Sequence, residues 1–142
     1  MIQVENIFLP NKPLNNFELE EAVKKLNIKN FRGVFMRDQL PKKARKIECG
    51  IINLDDEGNS PPGSKGTHWT CWKKNNKEII YFDSFGIQPP LEIINYLGSD
   101  ITYSNIQLQE PHQVICGHLC LFILHKKEPL EKVIKDILFH HQ

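Results

Sequence analysis

The sequence predicts one domain built from both strands and helices, with one helix buried in the middle of the core. Three observations carry this. Two β-prone runs, Thr67 to Lys73 (THWTCWK) and Glu78 to Asp83 (EIIYFD), are joined by Lys74-Asn75-Asn76-Lys77, whose asparagines tolerate the positive φ that tight hairpins require. From Cys116 to about Lys127 the residues are apolar almost all round, the pattern of a helix with no solvent face. Beyond Pro129, Leu130, Val133, Ile134, Ile137 and Leu138 recur at helical spacing and form the stripe of a last amphipathic helix.

Length and composition fit this. The 142 residues are close to the roughly 150 of one ordinary domain, so residues 1–142 read as a single unit. With 40% hydrophobic and 25% charged residues, a disordered tail, a collagen-like chain and a coiled coil are excluded. A net charge of +1 is far from the basic balance of a dedicated nucleic-acid binder. Four cysteines, Cys49, Cys71, Cys116 and Cys120, are too few for a disulfide scaffold, and the N-terminus lacks a basic region followed by an apolar stretch. A reducing, intracellular setting is expected. The longest mostly apolar stretch, Val114 to Leu124, falls short of the ~20 residues that span a bilayer, so no membrane partner is expected.

In chain order, Asn15 and Asn16 can cap a helix through about Leu26. Glu18 is placed for a capping box, and Leu19, Ala22, Val23 and Leu26 form its apolar face. Phe31 to Arg45, with several basic residues and Pro41, reads as an irregular, solvated connection. Lys46 to Asn53 is strand-like, and a loop with a Pro61-Pro62-Gly63 turn follows from Asp55 to Gly66. After the hairpin, Pro89 and Pro90 open a short helix with Leu91, Ile94 and Leu97 at helical spacing and Gly98 as its stop. Ile101 to Leu108 alternates weakly and reads as a further strand.

The hairpin brings chemistry together. If it turns symmetrically between Asn75 and Asn76, His68 faces Asp83, with Cβ atoms ~4.5–5.5 Å apart, within reach of a carboxylate–imidazole bond. The same register sets Trp69 against Phe82 and Cys71 against Ile80 on the other face, so Cys71 points away from His68. A histidine oriented by a carboxylate is the base half of a nucleophilic dyad. Cys116, at the exposed start of the buried helix, is the candidate thiol, because the helix's unpaired N–H groups and partial positive charge favour a thiolate. Gly117 leaves backbone N–H groups there open to a substrate oxyanion, and the amide of Gln109, upstream, could supply a second donor.

Blander readings stand beside this one. A thiol in an apolar helix can be an inert core residue, and a His–Asp pair on a hairpin can be structural. Cys116, Cys120, His118, His125 and Cys49 could in principle hold zinc, but no C-x-x-C pair or paired Cys and His spacing occurs. Cys120, His118 and His125 therefore read as packing or surface residues, and His112, His140 and His141 as solvent-exposed.

The order Gly66-Thr67-His68-Trp69, Tyr81-Phe82-Asp83-Ser84-Phe85-Gly86, Gln109-x-Pro111 and Cys116-Gly117-His118-Leu119-Cys120 resembles the adenovirus protease (adenain) family of cysteine peptidases. More distantly it is similar to the SUMO-specific proteases, which use the same His, Asp, Gln, Cys order. The resemblance runs from about Phe31 (FRGVF, then ECGIINLDD) to Leu124. It implies an α+β fold, in which a mixed or antiparallel sheet packs against a central helix that carries the nucleophile. It assigns Cys116 as nucleophile, His68 as base, Asp83 as orienting acid and Gln109 as oxyanion-hole residue. The adenoviral enzymes carry Glu at the acid position, so Asp83 is like the SUMO-specific branch. Trp69 resembles the tryptophan that roofs a narrow Gly-Gly channel there, which implies cleavage after glycine-rich sequences, since only Gly lets a backbone pass such a constriction.

The implied protein is a thiol endopeptidase encoded by a DNA virus or virus-like transposon. It would mature capsid or core precursors in the host cell, nucleus included, and in the virion, without cofactor or metal. A peptide or DNA activator of the adenoviral kind is weakly supported. The chain ends soon after the nucleophile helix, its charge is near neutral, and Gly98 to Gln109 holds no Cys for a disulfide-linked peptide. The alternatives are a ubiquitin- or SUMO-removing protease with the same triad, and a non-catalytic binding module on the same fold.

Overall fold

A five-stranded mixed sheet forms the centre of the protein. The computed structural model describes residues 1–54, 68–110 and 113–140; the loop expected over 55–66, together with Thr67, Pro111, His112 and His141, lies outside them. The chain starts with a small antiparallel hairpin, β1 (Ile2–Val4) and β2 (Ile7–Leu9), followed by α1 (Asn16–Lys25). The Asn15 side chain accepts from the Glu18 N–H at 2.8 Å, and the Glu18 carboxylate accepts from the Asn15 N–H at 3.0 Å, the reciprocal box read from the sequence. Leu19, Ala22 and Val23 are buried as expected.

The sheet order is β3 (Phe31–Met36), β4 (Glu48–Asn53), β5 (Trp69–Lys74), β6 (Ile79–Phe82), β7 (Ile101–Tyr103), each paired with the next. The two outer pairs are parallel and the two inner ones antiparallel. Strand β3 corrects the expectation of an irregular connection at Phe31 to Arg45. Arg32 and Gly33 break the alternation because the strand itself is irregular, with a register shift between Phe31 and Val34 and Gly33 at φ 142°. The strand expected over Ile101 to Leu108 is also shorter, ending at Tyr103. Beyond it the Leu108 and Gln109 N–H groups bond the Ser84 carbonyl, at 2.7 and 3.2 Å, instead of continuing a ladder.

The two faces of the sheet carry separate apolar clusters. On one face, Cys49, Ile51, Trp69, Cys71, Ile80 and Phe82 pack with α1, with α3 (Cys116–His125) and with α4 (Leu130–His140). On the other, Ile52, Trp72 and Tyr81 pack against Ile93 and Leu97 of α2 (Leu91–Leu97). Strand β4 is therefore buried on both faces. Helix α2 runs between Pro90 and Gly98 as read, but its inward face is Ile93 and Leu97, and Leu91 is exposed. Gly50 has no alternative, since a Cβ there would lie 2.3 Å from the Trp72 ring.

Helix α3 has seven buried residues among its ten, in line with its apolar sequence. It lies on β5: the Cys120 thiol donates to the Trp69 carbonyl at 3.5 Å and Lys73 Nζ reaches the Ile123 carbonyl at 3.4 Å. Near its start, His118 is buried, with Nε2 2.9 Å from the Pro10 carbonyl. Burial lowers the His118 pKa, opposed only partly by the Pro10 carbonyl and Glu18. The unfolded chain therefore takes up a proton near pH 6.5 that the folded one refuses until lower pH, so stability falls as pH drops below about 6.5. Urea denaturation of wild type and His118→Gln between pH 5 and 8 checks this: the wild type should lose stability below about pH 6.5 and the variant should lose less.

A charged network holds β4 from within. Glu48 is buried; its Oε1 accepts from Arg32 at 3.0 Å and from the Arg45 N–H at 2.5 Å, and its Oε2 from Trp72 Nε1 and the Tyr96 hydroxyl, both at 2.7 Å. Burial alone would push the carboxyl up, but these donors together outweigh it and hold the pKa below the usual value.

Candidate active site

The site sits at the end of the central strands, where β5 begins, β6 ends and α3 starts. The observed hairpin pairs Lys74 with Ile79 and Cys71 with Phe82, so it turns one residue later than a symmetric Asn75–Asn76 turn would. The cause is Asn75, whose side chain accepts from the Lys77 and Glu78 N–H groups at 2.8 and 3.0 Å and builds an Asx-type turn of its own. The expected pairs Trp69–Phe82 and Cys71–Ile80 are therefore replaced. A slip of two residues keeps every side chain on its face, however. Continuing the register sets Phe85 across from His68, and their rings stack with centroids 4.6 Å apart.

Asp83 then reaches His68 on the diagonal, with Asp83 Oδ1 2.8 Å from His68 Nε2. The Asp83 side chain is fully buried, and the same oxygen accepts the Phe85 N–H at 2.8 Å. Burial disfavours a charged His68 ring, but the bond to Asp83, followed by the interaction with Cys116, outweighs it and lifts the pKa to about 9. With Nε2 taken by Asp83, Nδ1 is a buried atom without a hydrogen-bond partner, and after Asp83 the ring's next interaction is with Cys116.

Cys116 is the first residue of α3, and it is buried together with Gly117, which corrects the expectation of an exposed helix start; its Sγ lies 3.5 Å from the Trp69 nitrogen. Three elements thus meet at one sulfur: the helix start, the first residue of β5 and the His68 ring just before it. The remaining thiols differ. Burial pushes Cys49 up to about 12 and Cys120 well above its ordinary value. Cys71 lies on the opposite face from His68, within the α3 cluster, as read from the sequence.

Gln109 is buried at the end of the segment that leaves β7. Its Oε1 accepts the Ser84 hydroxyl at 2.6 Å and its Nε2 donates to the Gln113 carbonyl at 2.6 Å, on the stretch that leads into Cys116. An amide nitrogen carries two hydrogens, so one remains for a further acceptor. Gly117 does more packing than the sequence suggested: a Cβ there would lie 3.2 Å from Leu19 and 3.4 Å from Leu14 and Trp69. Trp69 is 6% exposed, and its Nε1 donates to the Leu14 carbonyl at 2.7 Å. His125 lies 3.6 Å from Glu5, outside the site. Among the described residues no three His, Cys, Asp or Glu side chains are grouped as metal ligands would be.

Sequence reasoning missed what the rest of the Asp83-Ser84-Phe85-Gly86 turn does. Ser84 holds Gln109, Phe85 covers His68 and bonds Asp83, and Gly86, at φ 74°, lets the chain at Asn105 and Ile106 pass within 3 Å of where a Cβ would be. The available signal was the run DSFG itself, in which two small residues flank an aromatic after the acid.

The fold built by these elements is that of known cysteine proteases. The structure matches that of ASFV pS273R protease at a TM-score of 0.51 and 16% identity, over 90% of this chain and 67% of that one. It matches SUMO protease Ulp1, crystallised with its catalytic cysteine oxidised to a sulfinic acid, at 0.51 and 15%, over 92% and 76%. A second Ulp1 structure, with that cysteine as a sulfonic acid, also gives 0.51 and 15%, over 93% and 80%. No family profile and no curated protein matches the sequence.

Proposed function

We propose that the protein is a cysteine endopeptidase in which Cys116 is the nucleophile, His68 the base, Asp83 the acid that orients it, and Gln109 an oxyanion donor. The observation that carries this is His68, which bonds a buried carboxylate through Nε2 while its Nδ1 is left to the thiol at a helix start. In the mechanism, Nδ1 takes the Cys116 proton and the sulfur attacks a peptide carbonyl. The free hydrogen of Gln109 Nε2 and the Cys116 N–H hold the resulting oxyanion. His68 returns the proton to the leaving amine, then activates water to hydrolyse the thioester.

The proposed substrates are proteins cut after glycine-rich sequences: capsid or core precursors of a DNA virus or virus-like element, matured inside the host cell and the virion. The fold likeness to the ASFV protease supports this reading. The likeness to Ulp1 and the choice of Asp at the acid position support a second one, removal of a ubiquitin-like protein. The test is to incubate the purified protein with Gly-Gly-containing precursor peptides and with ubiquitin-like fusions, and to map the cleaved bonds by mass. Cleavage of the peptides is expected; preference for the fusions would favour the second reading. No cleavage of either, together with no acylation of Cys116 by an activated ester, would overturn both.

A further inference from the structure

We infer that Ser84 is the positioning residue that anchors the Gln109 amide at the site, in the orientation that the Gln113 carbonyl selects; the inference rests on the peptidase reading above. Ser84 is fully buried and makes three contacts to one short segment. Its carbonyl accepts the N–H groups of Leu108 and Gln109, at 2.7 and 3.2 Å, and its hydroxyl donates to Gln109 Oε1 at 2.6 Å.

A glutamine amide is nearly symmetric in shape, so its hydrogen-bond partners decide which end points where. At the far end the partner is the Gln113 carbonyl, which only accepts. At the near end it is the Ser84 hydroxyl, which can donate or accept; it therefore anchors the amide, here by donating to the oxygen, while the Gln113 carbonyl selects which end faces it. Rotating the amide would set two carbonyl oxygens against each other at Gln113, and the present orientation satisfies both ends. Nitrogen is thereby held against the segment that leads into Cys116. Because Ser84 follows Asp83 directly, one turn sets both the acid and the oxyanion donor, although Gln109 is 25 positions away. The resting bond to Gln113 uses one amide hydrogen and leaves the other for the reaction.

The test compares wild type, Ser84→Ala, Gln109→Ala and the double variant in the full chain. Three quantities are read: alkylation of Cys116 by iodoacetamide against pH, acylation by the p-nitrophenyl ester of N-acetylglycylglycine, and hydrogen exchange of the Gln109 side-chain amide by NMR. Alkylation needs no oxyanion donor, so Ser84→Ala should leave its pH profile unchanged. Acylation should fall by about 10- to 100-fold, within the loss typical of a disturbed oxyanion donor. Adding Ser84→Ala to Gln109→Ala should lower it no further. Amide exchange at Gln109 should speed up at least several-fold.

Unchanged acylation in Ser84→Ala, or an equal fall in the Gln109→Ala background, would overturn the positioning role. If instead wild-type Cys116 shows no His68-dependent reactivity, the peptidase reading fails, and the Gln109 exchange rate still decides whether Ser84 anchors the amide. Should Ser84→Ala not fold, Ser84→Cys, a weaker donor of similar shape, takes its place and should give an intermediate exchange rate.

Discussion

Cys116→Ala is expected to abolish turnover of any peptide substrate, a fall on the order of 10⁴- to 10⁶-fold, while leaving the fold intact. The substitution removes one sulfur atom and keeps the Cβ at a buried helix start, so the stability cost should stay at ~1 kcal/mol. His68→Ala should fall nearly as far, because a thiol without its base loses the proton acceptor at Nδ1. Asp83→Asn should cost less than either, since the ring keeps its Phe85 stack. Rates with a peptide cleaved by the wild type, measured beside urea melts of each variant, check all three. Retained peptidase activity in Cys116→Ala would remove this residue from the mechanism.

Glu48→Ala should be the most damaging substitution for the fold, costing about 3–5 kcal/mol, the range for removing one partner of a buried ion pair. It takes the acceptor from the Arg45 N–H, Trp72 Nε1 and the Tyr96 hydroxyl, and leaves Arg32 without its carboxylate, with only the Lys43 carbonyl and Tyr96 hydroxyl as partners. For a domain stable by about 5–15 kcal/mol that is a large fraction of the total. Glu48→Gln keeps an acceptor oxygen and should cost less. The loss should also register at the distant site, because β4 pairs directly with β5, the strand that His68 leads into. Urea denaturation monitored by tryptophan fluorescence measures it; a change under about 1 kcal/mol in Glu48→Ala would contradict the network's role.

Much of this arrangement was legible in the sequence, for reasons that differ by element. The capping box at Asn15 and Glu18, the helix of residues 116–125 and the stripe of residues 130–137 follow local rules of spacing, which tertiary structure only confirms. The His68–Asp83 contact was reached through a register that proved wrong by two residues. It survived because strands repeat every two residues, and a carboxylate on the diagonal still reaches the ring.

What was not legible depends on partners far away in the chain or on the conformation of a single side chain. Strand β3 looked irregular because Arg32 belongs to Glu48 and Tyr96, which no local pattern shows. The segment after Tyr103 alternates like a strand, yet its N–H groups go to Ser84. Asn75 shifted the turn through its own side chain, an effect of one residue's conformation rather than of composition.

The raised His68 pKa has a consequence for stability as well as chemistry. Its folded value of about 9 exceeds the unfolded ~6.5, so the pairing stabilises fully below about pH 6.5 and is lost as pH rises through about 9.

The most direct measurement is therefore the alkylation rate of each cysteine by iodoacetamide between pH 5 and 10, read by peptide mass in wild type and in His68→Ala. Cys116 should react fastest and stay reactive below the free-thiol pKa of ~8.5, and His68→Ala should remove the advantage. Cys49 and Cys120, whose thiols are held protonated by burial, should stay slow in both proteins. A Cys116 no more reactive than Cys49 in the wild type, or unchanged by His68→Ala, would contradict the thiol–imidazole pair at the centre of the proposal.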